Sequence, residues 1–170
     1  MKKNYILLLK MVNIKYNKYI YLDSGLLLRM LDGGLGAESS NIKEILLGYA
    51  SDLVNKGSIT EMVVGWEIVK SYLPEQNPEL FYWENTKNGA TSEVDYITSK
   101  NGKILPIEVK SGTSGKMKSL FLFMENKQIY SGIRTSLENF GTIEHTSPSS
   151  GKKYEIQVAP IYALSNFLNL

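Results

Sequence analysis

Two runs of alternating apolar and polar residues meet at Asn101-Gly102. Both runs repeat with a period of two, which is the period of a half-buried strand. Asn-Gly is the dipeptide best suited to a two-residue type I′ turn, because both central residues of that turn have positive φ. The pattern therefore predicts a β-hairpin over 93–110, in which Lys100 faces Lys103.

One face of this hairpin is predicted to be apolar, and it gathers Val94, Tyr96, Thr98, Leu105, Ile107 and Val109. The other face gathers Glu93, Asp95, Glu108 and Lys110. In the register that the turn sets, Asp95 faces Glu108, and opposed like charges destabilise a sheet unless something compensates them. A bound Mg²⁺ or Mn²⁺ would compensate, since these ions prefer hard carboxylate oxygens. A charged strand face is also typical of a solvated surface, so both interpretations stand on this pattern alone.

Apolar spacing elsewhere predicts further elements on both sides of the hairpin. Strands are predicted over 19–22, 80–84, 130–135 and 154–158. Helices are predicted over 25–31, 41–55, 58–73 and 116–127, and a closing helix begins at Pro160. Residues 138–153 are rich in Gly, Ser, Pro and Lys, which predicts a surface loop that exposes His145. The chain is thus expected to be an α/β domain with a mixed sheet of about four or five strands flanked by helices.

The amino-acid composition limits the kinds of site that the chain can form. A length of 170 residues is enough for one domain, and 43% hydrophobic with 21% charged residues is typical of a soluble globular protein. The chain has no cysteine and one histidine, which excludes a disulfide framework, a thiolate zinc site and a His-based metal cluster. Any metal chemistry must therefore use carboxylates. A net charge of +2 without a block of like charges neither demands nor excludes nucleic acid as a partner.

The sequence also bears on location. The basic start, MKKNYILLLK, has too short an apolar run for a signal peptide, and no run reaches the roughly 20 apolar residues of a membrane span. We expect a cytoplasmic protein with no membrane association. The oligomeric state is not predicted by any pattern.

Glu61 stands out in the predicted helix 58–73. On a helical wheel it falls inside the apolar arc, near Ile68 and Tyr72, whereas Glu67 falls on the polar side. A carboxylate that is turned toward the core needs a partner, and a metal site on the facing sheet would supply one. Glu61 also lies in the first helical turn, where it would complement the helix dipole. Both interpretations remain open.

The hairpin resembles the D…(D/E)xK signature of the PD-(D/E)xK, or restriction-endonuclease-like, superfamily. The matching residues are Asp95 and, after twelve intervening residues, Glu108-Val109-Lys110. A longer resemblance, over 18–165, is to a C-terminal domain of unknown function found on many prokaryotic AAA+ ATPases. It is carried by YIYLDSGLLLRML, GSITEMVVGWEIVKSYL, LFYWEN, SEVDYI and ILPIEVKSG, in that order.

The resemblance implies a restriction-endonuclease-like mixed β-sheet core over 41–170, with 1–40 as a small N-terminal extension. It implies a Mg²⁺-dependent nuclease that hydrolyses DNA phosphodiester bonds. Asp95 and Glu108 would bind the metal, Glu61 would hold a second metal or a metal-bound water, and Lys110 would stabilise the charge that develops in the transition state.

The alternative is a non-catalytic nuclease-like module that binds DNA or docks a partner AAA+ ATPase. The chain has no G-x-x-x-x-G-K-[ST] motif, so the ATPase of the resembled architecture is not within this sequence. The chain is accordingly expected to be a stand-alone remnant or one half of a split system.

Overall fold

The computed structural model describes residues 20, 23, 56–86, 91–112 and 115–168, without the side chain of Lys56. The helices in this part of the chain are α1 (Lys56–Lys70), α2 (Lys118–Lys127) and α3 (Leu164–Leu168), the last preceded by a 3-10 turn over Ile161–Ala163. The strands are β1 (Phe81–Asn85), β2 (Ser92–Lys100), β3 (Lys103–Glu108), β4 (Ser131–Ser136), β5 (Gly141–Thr146) and β6 (Lys153–Pro160). The predicted α/β class is confirmed.

The strands form one mixed sheet of six, in the order β1-β2-β3-β4-β6-β5. β1, β2 and β3 are antiparallel neighbours, whereas β4 runs parallel to both β3 and β6. A parallel neighbour needs a crossover connection, and α2 supplies it between β3 and β4. The carboxyl ends of β3, β4 and β6 therefore lie at the same edge of the sheet.

The predicted hairpin turn and its register are confirmed. Asn101 and Gly102 both have positive φ, at 53° and 72°, as a type I′ turn requires. Lys100 pairs with Lys103, and the register continues without a shift to Tyr96 and Ile107.

Helices cover both faces of the sheet, and each face has its own apolar core. On the α1 face, α1 and α3 bury Val64, Ile68, Tyr96, Ile107, Ile133, Ala159, Leu164 and Leu168. On the α2 face, α2 buries Trp83, Val94, Ile97, Leu120, Phe123, Met124, Tyr154 and Ile156. The chain thus forms helix, sheet and helix layers, which is the arrangement that a sheet with two apolar faces requires.

The prediction that Val94 and Tyr96 share a face is wrong. Phe81 pairs with Ile97 and Trp83 pairs with Val94, so the single residue between them on β1 faces two residues of β2. This irregularity is a β-bulge, and it interrupts the alternation of side chains. Val94 consequently packs on the α2 face, whereas Tyr96 packs on the α1 face.

The helix predicted over 58–73 is α1, which begins at Lys56 and so includes Gly57. One other local prediction is wrong. The stretch 138–153 was expected to be a loop, but it contains β5, which pairs with β6 at the sheet edge. His145 on β5 is only partly exposed, because its ring stacks on Phe121 at a centroid distance of 4.0 Å.

Several predictions fall outside the described residues. These are the helices over 25–31 and 41–55, most of the strand over 19–22, and the division of the chain at residue 40. Each stays a prediction. In the part of the chain that the structure does describe, no helix is both long and apolar enough to cross a membrane.

Candidate acidic centre

The α1 face of the sheet carries a group of three carboxylates. Glu61 on α1 and Glu93 and Asp95 on β2 each place one oxygen so that all three oxygens lie within 4.8 Å of one another. All three side chains are partly exposed. We call this group the acidic centre.

The bulge in β2 is what brings these residues to one face. Without it, Asp95 and Tyr96 would point to opposite faces of the sheet. Because the bulge sets both residues against one residue of β1, Asp95 turns to the same side as Tyr96, toward α1. Glu93 precedes Val94, which points to the α2 face, so alternation places Glu93 on the α1 side as well.

Tyr96 fixes α1 against this part of the sheet. Its phenol donates a hydrogen bond of 2.9 Å to the backbone carbonyl of Glu61. Burial raises the pKa of the Tyr96 phenol, and the negative charges of Glu61 and Asp95 raise it further. The neutral phenol is therefore a dependable donor beside the acidic centre.

Asp95 also joins two strands. Its Oδ2 accepts a hydrogen bond of 2.7 Å from the backbone N–H of Val109, immediately after the end of β3. The short distance is typical of a bond to an ionised carboxylate. This contact orients Asp95 and fixes the course of the segment that leads from Glu108 to Lys110.

Glu108 and Lys110 pair with each other, apart from the acidic centre. Lys110 Nζ lies 2.7 Å from Glu108 Oε1, and the Glu108 side chain is buried. Ile107 packs on the α1 face, so strand alternation turns Glu108 toward the α2 face. The structure thus brings Glu61 and Asp95 together with Glu93, and it brings Glu108 together with Lys110.

Thr135 on β4 anchors Lys110 from the other side. The Lys110 backbone N–H donates to Thr135 Oγ1 over 2.9 Å, and that hydroxyl donates to the Lys110 carbonyl over 3.3 Å. The chain at this point is therefore held on both sides: Val109 is bonded to Asp95 on β2, and Lys110 is bonded to Thr135 on β4.

A comparison with protein-family models matches residues 56–161 to DUF4143, a domain of unknown function. The chain belongs to the DUF4143 family. Comparisons with curated proteins and with solved structures gave no match.

The acidic centre of this DUF4143 domain has the donor set that Mg²⁺ prefers. In octahedral coordination at about 2.1 Å, neighbouring ligand oxygens lie about 3 Å apart, so the three carboxylates would have to move closer together to bind one ion directly. Glu61, Glu93 and Asp95 are the residues that would hold the ion. Three carboxylates this close repel one another, and a divalent cation would relieve that repulsion.

Glu67 is where the wheel analysis of α1 was wrong. Glu67 was expected on the polar side of the helix, yet it is buried with an exposed fraction of 6%. Lys70 Nζ donates to its Oε1 over 2.5 Å, and Ser165 Oγ on α3 donates to its Oε2 over 2.8 Å. Burial raises the pKa of the Glu67 carboxyl, but these hydrogen bonds and the Lys70 charge outweigh burial, so the net pKa is lowered. Glu67 joins α1 to α3, away from the acidic centre.

Sequence reasoning gave no role to Arg134, although it lies in this region. It stands on β4 directly beside Glu108 of β3, and its side chain is buried. An available signal was the position of one arginine in the middle of GIRTS, within a predicted strand, because a charge in a buried strand is costly unless it has a partner.

Proposed function

We propose that this DUF4143 domain is a Mg²⁺-dependent nuclease that hydrolyses phosphodiester bonds of DNA, on a restriction-endonuclease-like core. The observation that carries the proposal is the acidic centre, with the Glu108–Lys110 pair on the adjoining strand end. The succession of β1, β2, β3, α2 and β4 supports it, because it is the βββαβ order expected of such a core.

The residues have distinct parts in this proposal. Glu61, Glu93 and Asp95 bind the metal through their carboxylates, and the Val109 N–H keeps Asp95 oriented. Bound Mg²⁺ would activate water and neutralise charge on the phosphoryl oxygens. Lys110 stabilises the developing anion, and Glu108 holds the Lys110 ammonium in place until substrate binds.

The second candidate function is a non-catalytic module that binds DNA or docks a partner AAA+ ATPase. Three large apolar side chains favour a docking role, because they are exposed near the ends of β4, β5 and β6. They are Leu137, Phe140 and Tyr162, with exposed fractions of 64%, 56% and 77%. The opposed placement of Glu108 and the acidic centre on the two faces of the sheet also favours a domain that does not cut DNA.

Metal-dependent cleavage decides between the two functions. Plasmid, single-stranded and branched DNA would be incubated with the wild type in Mg²⁺, in Mn²⁺ and in a chelator. Asp95→Asn keeps an oxygen for the Val109 N–H but removes the charge, so we expect a loss of activity of at least roughly 100-fold. Glu79→Gln, an exposed carboxylate away from the site, is the matched control. Cleavage by Asp95→Asn at the wild-type rate would overturn the proposal, and an inactive wild type would leave the docking module as the function.

A further inference from the structure

Arg134 is a buried cation whose hydrogen bonds are incomplete. Its side chain has an exposed fraction of 6%, and its Nη2 donates to the Gly112 carbonyl over a long 3.5 Å. Its Nε has no hydrogen-bond partner among the described residues. A guanidinium has five N–H donors, and leaving them unmet in a buried site is costly. The geometry calls for an acceptor beside Arg134.

Glu108 does not supply that acceptor. It is the register neighbour of Arg134 across β3 and β4, but its Oε1 is bound by Lys110. Its Oε2 is buried and has no hydrogen-bond partner in the described part of the chain. One carboxylate here stands beside two cations, so the cluster of Glu108, Lys110 and Arg134 has a positive excess.

The first turn of α2 adds backbone N–H donors that have no acceptor within the helix. The short connection from α2 to β4 makes the helix run back over β4, and Met124 would contact a Cβ placed on Gly132 at 3.4 Å. Arg134 lies two residues beyond Gly132, which is about 6.6 Å along β4. Because α2 runs in the opposite direction, the same distance along α2 leads from Met124 back by four to five residues, to the first turn of the helix. The N-cap residue, Met117, makes no side-chain capping bond, and the first turn contains no acidic residue.

We propose that Arg134, Lys110 and the backbone N–H groups at the start of α2 form a binding site for a phosphate group of a phosphate ester. An arginine fork matches two phosphate oxygens, and a helix N-terminus favours an anion through its dipole. Lys110, whose side chain is 27% exposed, is the member of the site that faces solvent. In the proposed nuclease, on which the choice of substrate rests, this phosphate is one of the DNA backbone beside Glu108.

The test measures phosphate binding without any cleavage. Inorganic phosphate and thymidine 5′-monophosphate would be titrated into the full chain at low ionic strength, with chelator present, by calorimetry or phosphorus NMR. Arg134→Met should weaken binding at least roughly tenfold, and Arg134→Lys should weaken it less, because charge is kept but the fork is lost. Lys103→Met, at the exposed hairpin tip, is the control and should bind as the wild type does.

A second pair of variants keeps the test decisive if Arg134→Met does not fold. Met117→Asp and Met117→Asn both place a capping side chain at the start of α2, which favours the helix. Only the aspartate adds a negative charge, so Met117→Asp should bind phosphate at least roughly tenfold more weakly than Met117→Asn.

Two results would overturn the inference. One is a wild type that binds neither probe at millimolar concentration. The other is a folded Arg134→Met or Met117→Asp protein that binds both probes as the wild type does. Phosphate binding that needs Arg134, in a protein that never cuts DNA, would uphold this site and reject the nuclease. If Arg134→Met cleaves DNA as the wild type does, the nuclease would be upheld and this phosphate site rejected.

Discussion

The phenol of Tyr96 donates a hydrogen bond to the backbone carbonyl of Glu61, and this bond of 2.9 Å joins the sheet to α1 beside the acidic centre. Tyr96→Phe removes the donor and leaves a helix carbonyl with one bond fewer. A hydrogen bond of this kind contributes about 0.5–1.5 kcal/mol to the free energy of unfolding, so we expect a loss of that size in urea unfolding at neutral pH. Tyr162→Phe, on a largely exposed ring, should leave stability unchanged. Equal stability of the two variants would show that the bond contributes nothing.

Tyr96 also predicts a loss of stability at alkaline pH. The pKa of its phenol is raised by burial and by the charges of Glu61 and Asp95. Above a pH of about 10, the unfolded phenol loses its proton while the folded phenol keeps it. The folded state then holds more protons, so the free energy of unfolding falls as pH rises, by up to about 1.4 kcal/mol per pH unit. Tyr96→Phe should show a shallower fall above pH 10, and identical slopes for both proteins would contradict this assignment.

Gly65 on α1 offers a matched pair of helix substitutions with Gly57. A Cβ on Gly65 would lie 2.6 Å from Ile20 Cδ1 and 2.8 Å from the Tyr96 hydroxyl, whereas a Cβ on Gly57 has nothing within 4 Å. Both alanines gain helix propensity of about 1 kcal/mol. Gly57→Ala should therefore stabilise the protein, while overpacking of about 1–3 kcal/mol should make Gly65→Ala neutral or destabilising. Thermal melts compare the two, and a Gly65→Ala protein as stable as Gly57→Ala would show that Ile20 does not pack there.

Ionisation of Glu67 should make the free energy of unfolding fall at acidic pH. Although burial raises its pKa, hydrogen bonds from Lys70 and Ser165 and the Lys70 charge lower it overall. A lowered carboxyl pKa stabilises the fold above the unfolded value of about 4.3, and that stability is lost as pH falls through the folded value. Glu67→Gln should thus be less stable than the wild type near neutral pH, and the difference should shrink below pH 4. Urea unfolding across that range measures it, with Glu79→Gln as the exposed control. A difference that does not change with pH would rule out an ionised Glu67.

The hairpin shows how far the sequence alone reaches. Asn101-Gly102 determines the turn, and the turn determines the register as far as Tyr96, because both depend only on local backbone geometry. The bulge at Asp95 and Tyr96 has no such local signal, since it arises where β1 pairs with β2. It changes the partners of Asp95 from those that simple alternation predicts.

Glu67 illustrates a second limit. A helical wheel describes one helix, but the partner that buries Glu67 is Ser165, which lies on α3 at a sequence separation of 98 residues. The wheel placed Glu61 and Ile68 on one side of α1, and in the structure both lie on the side that faces the sheet. It assigned Glu67 to solvent because it contains no information on which later element covers the opposite side of α1.

The acidic centre should make the stability of the protein depend on divalent metal. Three carboxylate oxygens within 4.8 Å repel one another, and an ion that binds only the folded protein adds RT ln(1 + [L]/Kd) to the free energy of unfolding. At a concentration 100 times Kd this is about 2.7 kcal/mol, or a rise in Tm of about 5–10 °C for a chain of this size.

Asp95→Asn keeps its hydrogen bond to Val109 and removes one of the repelling charges. It should be as stable as the wild type without metal, or more stable, and should gain little Tm from Mg²⁺. Glu93→Gln should behave in the same way, whereas Glu79→Gln should respond as the wild type does. An Asp95→Asn protein that is strongly destabilised and still gains the full Tm would show that Asp95 is needed for folding and does not bind the metal.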